Sequence, residues 1–231
     1  MSTPSTDELS ALLRTGSQEL GIAATIRQQQ QCLQYLALLE KWNKTYNLTA
    51  VRDVGQMVGV HILDSLAVLQ QIPTTGNLLD VGSGGGLPGI PLAIFRPDLQ
   101  VTMLDSSQKK TVFVRQAISE LGLKNADVVC RRLENFQPQD RFDTVISRAF
   151  ADLSDFVQGA GHLVKASGTM LAMKGAAASD EIRRFQGKKA SNPSPGLAFL
   201  VLETIGLKVP QVDGERCLVV LKSTTKTESV I

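Results

Sequence analysis

Five glycines fall within the eight residues from Gly82 to Gly89, directly after the apolar run Leu78–Val81. A segment of helical periodicity, Pro88–Phe95, follows at once, so the glycines occupy a strand-to-helix turn. Because glycine has no Cβ atom, such a turn can bend sharply and bring its backbone close to a ligand. In open parallel sheets, ligands bind at this carboxyl edge of the strands. The glycine loop therefore favours an α/β fold and marks a candidate ligand site.

From residue 77 onward, short apolar runs alternate with helical segments. This alternation predicts right-handed βαβ units and a parallel sheet covered by helices on both faces. The predicted strands are Asn77–Val81, Val101–Asp105, Ala126–Cys130, Asp143–Ser147, Thr169–Met173, Leu197–Ile205 and Arg216–Lys222. The helices predicted between them are Pro88–Phe95, Ser107–Leu121, Leu153–Val164 and Asp180–Gln186. The last two strands have a short connection that allows only antiparallel pairing, so we expect a Rossmann-like, mostly parallel seven-stranded sheet with an antiparallel C-terminal hairpin.

Ahead of the sheet, residues 1–73 are predicted to form a helical extension. Its leucines and isoleucines recur at helical spacing, and its last helix is predicted over Val54–Gln71, before Pro73. The run Gln28–Gln31 is expected on or near a solvated surface. The sheet domain is predicted over residues 74–222, and residues 223–231 are expected to form a frayed tail.

Composition narrows the function classes without choosing one. The 231 residues are 43% hydrophobic and carry a formal net charge of +2, which excludes a disordered chain and a protein that coats nucleic acid indiscriminately. Three scattered cysteines and two histidines form no metal-ligand spacing, so we expect no metal. We see no signal peptide and no membrane-length apolar run, so we expect a cytoplasmic protein without a membrane partner. No heptad or long apolar patch indicates an obligate partner, which favours a monomer.

The residues around the loop narrow the choice of ligand. A dinucleotide fingerprint that starts at Gly82 requires a small residue where Leu87 stands, which disfavours a nucleotide-dependent oxidoreductase. Asp80 would oppose a pyrophosphate but suits a cationic ligand such as S-adenosylmethionine. Asp105 ends the next predicted strand, where a carboxylate can accept hydrogen bonds from ribose hydroxyls. The pattern therefore assigns cofactor contacts to Asp80, Gly82, Gly84, Gly86 and Asp105.

Several longer stretches carry a more specific resemblance. They are Tyr46–Ala50 (YNLTA), His61–Leu66 (HILDSL), Asp80–Gly89, Phe142–Phe150 (FDTVISRAF) and Gly214–Leu221 (GERCLVVL). On these stretches the chain resembles the bacterial ribosomal RNA small subunit methyltransferase G family, also called glucose-inhibited division protein B, from about Leu33 to Lys222. One position departs from the pattern: the family usually has arginine before the histidine of HILDSL, and Val60 stands here.

The resemblance implies a class I S-adenosylmethionine-dependent methyltransferase fold. It also implies methyl transfer to N7 of a guanine in 16S rRNA, in a loop near the decoding centre, with S-adenosylhomocysteine as the product. The partner would be 16S rRNA or the small ribosomal subunit. The cofactor contacts that the resemblance carries over are Gly82, Leu87, Leu133, Glu134 and Arg148.

Guanine N7 has a lone pair and no proton to lose, so its methylation needs no general base. Alignment of the reactants can supply much of the rate, and we therefore assign no catalytic residue and keep Arg148 as a candidate for orientation. Adenine N6 methyltransferases have [DN]PP[YF] where this chain has Ser147 to Phe150. Pyrimidine C5 enzymes need a nucleophilic cysteine, and Cys130 is predicted to be a small buried hydrophobic residue instead.

Basic clusters are the candidate phosphate contacts. We favour Arg131, Arg132, Arg183, Arg184, Lys188 and Lys189 over the further cluster Lys109, Lys110 and Arg115. Phe136 and Phe150 could stack on a base, although a core position is favoured for each. Three alternatives stay open: a methyltransferase acting on a small molecule or protein, a nucleotide- or RNA-binding regulator without turnover, and the oxidoreductase.

Overall fold

The computed structural model describes residues 4–148, 150, 152–176, 178–187 and 197–225. Within these residues, seven strands form one sheet in the order β3-β2-β1-β4-β5-β7-β6. The strands are β1 Gly76–Val81, β2 Leu99–Asp105, β3 Ala126–Cys130, β4 Phe142–Ser147, β5 Val164–Gly175, β6 Leu197–Leu207 and β7 Arg216–Thr225.

Of the described helices, four precede the sheet and four connect its strands. The helices are α1 Thr6–Glu19, α2 Ile26–Tyr46, α3 Val54–Met57, α4 Asp64–Leu66, α5 Gly89–Phe95, α6 Gln108–Leu121, α7 Leu153–Ala160 and α8 Ala178–Gly187. Helices α1 and α2 begin with a capping box, in which Ser5 and Thr25 exchange hydrogen bonds with the residue three positions on. None of the described helices is both long and apolar enough to cross a membrane.

The strand order gives the sheet a switch point. Strand β1 pairs in parallel with β2 on one side and with β4 on the other, so the chain leaves β1 in one direction and returns to its opposite side. Strand β5 continues the parallel part, and β7 then pairs antiparallel with both β5 and β6. These pairings confirm the predicted sheet and its C-terminal hairpin. They also place the glycine loop at the crevice where open α/β sheets bind ligands.

Two clusters of buried apolar residues cover the two faces of the sheet. Successive side chains of a strand point to opposite faces, and accordingly Leu78 belongs to one cluster and Leu79 to the other. The first cluster also contains Leu13, Tyr35 and Leu39 from the N-terminal helices. The helical extension therefore packs directly on the sheet through a shared core.

Several element boundaries differ from the predicted ones. The segment predicted as one helix over Val54–Gln71 consists of α3, a π-helical turn at Val58–Leu63, α4 and a 3-10 turn at Leu69–Gln71. Helix α7 ends at Ala160, and Val164 already begins β5, which is long because it pairs with β4 on one edge and β7 on the other. Strand β7 runs to Thr225, so the predicted frayed tail begins three residues too early; residues 226–231 lie outside the described residues.

The prediction that Cys130 is buried is wrong. Its side chain is exposed, and its sulfur lies 3.9 Å from the carbonyl oxygen of Ser106. Cys130 is the last residue of β3, one of the two edge strands of the described sheet. An edge strand has a neighbour on one side only, so an apolar alternation along it does not guarantee burial.

Candidate cofactor and substrate site

The glycine loop holds a backbone shape that other residues rarely adopt. Gly82, Gly84 and Gly86 have φ angles of +71°, +56° and +89°, in the left-handed region that favours glycine. The N–H groups of Gly82 and Ser83 donate to the carbonyl oxygen of Leu104 at 2.8 and 3.1 Å. These bonds fasten the loop to the carboxyl end of β2.

Asp105, the last residue of β2, also binds the glycine loop. Its Oδ2 accepts a hydrogen bond from the N–H of Gly84 at 2.9 Å, and its Oδ1 accepts one from the N–H of Ser107 at 2.8 Å. Lys110 brings its ammonium to 3.9 Å from Oδ2. A carboxylate has about four acceptor positions, so the two backbone donors fix its orientation and leave room for further donors.

A cavity of about 480 Å³ opens beside this loop at the carboxyl edge of the sheet. It is lined by Val81, Gly82, Leu104, Asp105, Ser106, Arg131, Arg132, Leu133, Glu134 and Phe150. Leu133 and Glu134 reach it from a 3-10 turn that follows β3. The lining fits an adenosine-containing cofactor, because Asp105 offers acceptors for hydroxyl groups and Leu133 and Phe150 offer apolar surface.

Four of the predicted cofactor residues therefore meet at one cavity: Gly82, Asp105, Leu133 and Glu134. Two predicted phosphate contacts, Arg131 and Arg132, line the same cavity. The other predicted pair is placed elsewhere, on α8. There Arg183 forms an ion pair with Asp180, and Arg184 lies 3.8 Å from Asp152. Lys188 and Lys189 lie outside the described residues.

Asp80 lies behind the loop and does not line the cavity. Its side chain is fully buried, and its Oδ2 accepts a hydrogen bond from the N–H of Gly89 at 2.9 Å. Burial raises the pKa of Asp80 to about 7, against the opposing effects of that hydrogen bond and the charge of Arg148. A Cβ atom at Gly89 would stand 2.5 Å from Cγ of Met103 and 2.9 Å from Asp80, so this close packing requires glycine. Leu87 is also buried in the core.

A second cavity, of about 290 Å³, contains the side chain of Arg148. It is lined by Val51, Val60, His61, Asp64, Arg148, Met173, Lys174, Gly175, Leu207, Arg216 and Cys217. The Nη1 group of Arg148 donates to Oδ2 of Asp64 and to the carbonyl oxygen of Val60, both at 3.1 Å. The second carboxylate oxygen of Asp64 lies 3.5 Å from Nε of Arg216. At the position where the family usually has arginine, the backbone of Val60 thus binds the side chain of Arg148.

Other polar groups around this second cavity are held in fixed positions. His61 is buried, and its Nε2 is 2.9 Å from Oγ1 of Thr49. Burial, and then the charge of Arg148, lower the pKa of His61 to about 4, so the imidazole is neutral at neutral pH. Lys174 and Glu181 form a buried ion pair of 2.7 Å, and Lys174 also donates to the carbonyl oxygen of Phe150 at 2.7 Å.

The end of β4 separates the two cavities. Ser147 donates its hydroxyl to the carbonyl oxygen of Val81, a residue of the first cavity, at 2.7 Å. Arg148 belongs to the second cavity, and Phe150 returns to the first. Phe150 is half-buried, with its ring 5.2 Å from that of Phe156, whereas Phe136 is buried in the core as favoured. The two cavities are neighbours, since Lys174 of the second donates to the carbonyl oxygen of Phe150 of the first.

Sequence reasoning missed Asp64, Lys174 and Arg216 as site residues. Asp64 and Arg216 nevertheless belong to the stretches HILDSL and GERCLVVL, which carried the resemblance. The structure brings these two distant stretches together at the second cavity. Among the described residues, no cluster of three or more histidine, cysteine or acidic side chains is arranged to hold a metal ion.

The strand order, the glycine loop after β1 and the acid ending β2 define a class I S-adenosylmethionine-dependent methyltransferase fold. A putative S-adenosylmethionine-dependent methyltransferase from Methanococcus maripaludis matches with a TM-score of 0.54 at 16% identity, over 84% of this chain and 94% of that one. The family model for rRNA small subunit methyltransferase G matches residues 28–198. The chain belongs to this family, which confirms the resemblance seen in the sequence.

Two relatives show how far the similarity extends. The ribosomal RNA small subunit methyltransferase G of Laribacter hongkongensis is 48% identical over 209 residues, or 90% of this chain and 96% of the relative. The protein of the same name from Methylobacillus flagellatus is 49% identical over equal shares of both chains.

Proposed function

We propose that this protein transfers a methyl group from S-adenosylmethionine to N7 of a guanine in 16S rRNA, in a loop near the decoding centre. The observation that carries the proposal is the pair of adjoining cavities. One has the lining of a cofactor site, and the other lies across the end of β4 with Arg148 at the boundary. The family and its relatives, which are named for methylation of small-subunit rRNA, give the substrate class.

The residues of the first cavity would hold the cofactor. Asp105 would accept hydrogen bonds from the ribose hydroxyls, while Leu133 and Phe150 would contact the adenine, with Glu134 at the rim. Gly82 would let the backbone approach closely. When bound, S-adenosylmethionine supplies an electrophilic methyl group on a sulfonium centre. Asp80, Gly84, Gly86 and Leu87 would act by shaping the loop, since none of them lines the cavity.

The protein's own contribution would be placement rather than proton transfer. Guanine N7 has a lone pair and no proton, so no general base is required, and His61 need not change its protonation. A correctly aligned pair of reactants can gain on the order of 7–11 kcal/mol in favourable cases. Arg148, fixed by Asp64 and by the carbonyl oxygen of Val60, is the candidate for orientation.

The target guanine would have to be unpaired or turned out of its helix. The major groove of A-form RNA is deep and narrow, so N7 of a paired guanine is out of reach of side chains. A purine taken out of its stack could enter the second cavity, whose volume of about 290 Å³ is near the lower end for small-ligand sites.

A labelled methyl donor tests the proposal. The protein would be incubated with that donor and with small subunits or 16S rRNA from a strain lacking the gene, and the RNA then cleaved chemically at N7-methylguanine. We expect label in the RNA and cleavage at one site. RNA without label, or labelled RNA that is not cleaved, would contradict the proposal; label in a protein or small molecule instead would favour the alternative.

Arg148→Ala tests the orienting role within the same assay. Removal of a charged hydrogen-bonding partner should lower kcat/KM or cofactor affinity by roughly 10- to 100-fold. Arg14→Ala, at an exposed position on α1, provides the control and should leave both quantities unchanged. If Arg148→Ala kept wild-type affinity and turnover, the assignment of Arg148 would be wrong.

A further inference from the structure

Asp64 holds a buried carboxylate at the wall of the second cavity, between two guanidinium groups. We infer that Asp64 recognises the target base by accepting hydrogen bonds from N1–H and the N2 amino group of guanine. This assignment rests on the proposed function and adds the residue that would select guanine over other bases.

The acceptor capacity of Asp64 matches such a role. A carboxylate has about four acceptor positions, two on each oxygen. Arg148 faces Oδ2 at 3.1 Å and Arg216 faces Oδ1 at 3.5 Å, which leaves a position on each oxygen. Guanine presents two donors side by side, N1–H and N2–H. Adenine has an acceptor at N1 and no N2 amino group, so it would leave the buried carboxylate unsatisfied.

The order of groups in the protein also matches the order along the guanine edge. That edge runs from N2 through N1 and O6 to N7. In the protein, Asp64 is followed by Arg148, which donates a hydrogen bond to it. Next comes Ser147, which donates a hydrogen bond to the carbonyl oxygen of Val81 at the first cavity. With Asp64 on N2 and N1, the remaining donors of Arg148 are next to O6, and N7 faces the cofactor side.

The local backbone fixes Asp64 in place. Asp64 directly follows the π-helical turn Val58–Leu63, a type of turn that is frequent at functional sites. The hydroxyl of Ser65 donates to the carbonyl oxygen of His61 at 2.6 Å, which supports the turn. Met173 and Leu207 line the same cavity and offer apolar surface to the faces of a base. The carboxylate is therefore positioned before any substrate binds.

The alternative is that Asp64 serves only to hold Arg148 and Arg216 in place. Substrates that differ in one group of the base separate the two roles. Small subunits would be reconstituted with 16S rRNA that carries guanosine, inosine or adenosine at the site of methylation. Inosine keeps N7, O6 and N1–H but lacks the N2 amino group, so it removes one of the two proposed hydrogen bonds.

We expect the wild-type protein to prefer guanosine over inosine by roughly 10- to 100-fold in kcat/KM, as loss of a hydrogen bond to a charged group predicts. Asp64→Asn should reduce kcat/KM on guanosine and bring the guanosine-to-inosine ratio to within about threefold, because the amide offers one acceptor in place of two. The remaining oxygen can still accept the hydrogen bond from Arg148, so the cofactor affinity of this variant, measured by calorimetry, should stay at the wild-type value.

Asp143→Asn is the matched control. Asp143 is also an ion-paired carboxylate, 2.7 Å from Lys165, but it lies at the start of β4, away from both cavities. This variant should keep the wild-type ratio. A merely structural role for Asp64 would lower activity on all substrates together and leave the ratio unchanged.

Two results would overturn the inference: equal use of guanosine and inosine by the wild-type protein, or an unaltered ratio in Asp64→Asn. The first result does not depend on whether a variant folds. If the wild-type protein formed no N7-methylguanine in the guanosine substrate, the proposed function would fail first, and the inference with it.

Discussion

At the scale of single residues, we expect Asp80 to make the stability of the fold depend on pH. Its carboxyl group is fully buried beneath the glycine loop, and burial raises its pKa to about 7. The N–H of Gly89 and the charge of Arg148 favour ionisation, but they do not overcome desolvation. In the unfolded chain the same group ionises near its ordinary pKa of about 3.9.

The sign of the pH dependence follows from these two values. Between about pH 4 and the folded pKa of about 7, the folded protein keeps a proton that the unfolded chain has released. Raising the pH through this window should therefore lower the free energy of unfolding, by on the order of 2–4 kcal/mol, and the effect should level off above it. Urea titrations at several pH values between 4.5 and 8 give the free energy of unfolding of the wild-type protein and of Asp80→Asn, and the difference between these two free energies measures the effect. A difference that does not change with pH would contradict it.

Single residues also show which parts of the site the sequence could predict. Gly82, Asp105, Leu133 and Glu134 meet at one cavity, because each lies at or just after the carboxyl end of a predicted strand and those ends share one edge. Asp64 and Arg216 leave no comparable pattern. They come together because Arg216 begins β7, which lies near the C-terminal end of the chain and pairs with β5. The local spacing of residues does not encode that pairing.

At the scale of whole elements, α2 supplies hydrogen-bonding partners to the ends of two other helices. The last carbonyl groups of a helix have no partner within it. Side-chain amides from α2 donate to the carbonyl oxygens of Ile94 near the end of α5 and Leu121 at the end of α6. The donors are Gln28 and Gln31, from the glutamine run expected near a solvated surface; both are half-buried.

Gln31→Met tests this contribution. Methionine has a similar length and helix propensity but cannot donate to Leu121, whose carbonyl oxygen now lies 2.9 Å from Nε2 of Gln31. We expect a loss of about 1 kcal/mol in the free energy of unfolding, the usual net value of such a bond. Gln30→Met changes the exposed neighbour on the same helix and should be nearly neutral. Equal effects of the two variants in urea denaturation would refute the capping role.

Element boundaries show a limit of sequence patterns. Over residues 54–71 the apolar spacing indicates one helix, and the structure places a π-helical turn within it. The spacing of apolar side chains indicates which face of a helix is buried. It does not indicate to which carbonyl oxygen each backbone N–H donates, and that pattern distinguishes an α-helix from a π-helix. The strand predicted over Thr169–Met173 is likewise shorter than β5, because the length of β5 is set by its pairing with β4 and β7.

At the scale of the molecule, a net charge of only +2 gives little overall attraction for RNA, so RNA binding would depend on where the cationic side chains are clustered. Arg131 and Arg132 lie at the first cavity, and Arg216 lies at the second. The two arginines of α8 line neither cavity, and each is near an acidic side chain. We therefore expect few phosphate contacts, grouped around the carboxyl edge of the sheet, and little attraction for RNA elsewhere.

The salt dependence of RNA binding measures this number. Each phosphate contact contributes about −0.7 to −0.9 to the slope of log affinity against log salt, so ~3–5 contacts predict a slope of roughly −2 to −4. Arg132→Gln should bring the slope closer to zero by about 0.7–0.9. Arg27→Gln removes the same charge at a cavity that Asn125, just before β3, also lines at the opposite edge of the sheet, and it should leave the slope unchanged. A wild-type slope near zero, or equal slopes for the two variants, would mean that the cations around the cavities do not bind phosphate.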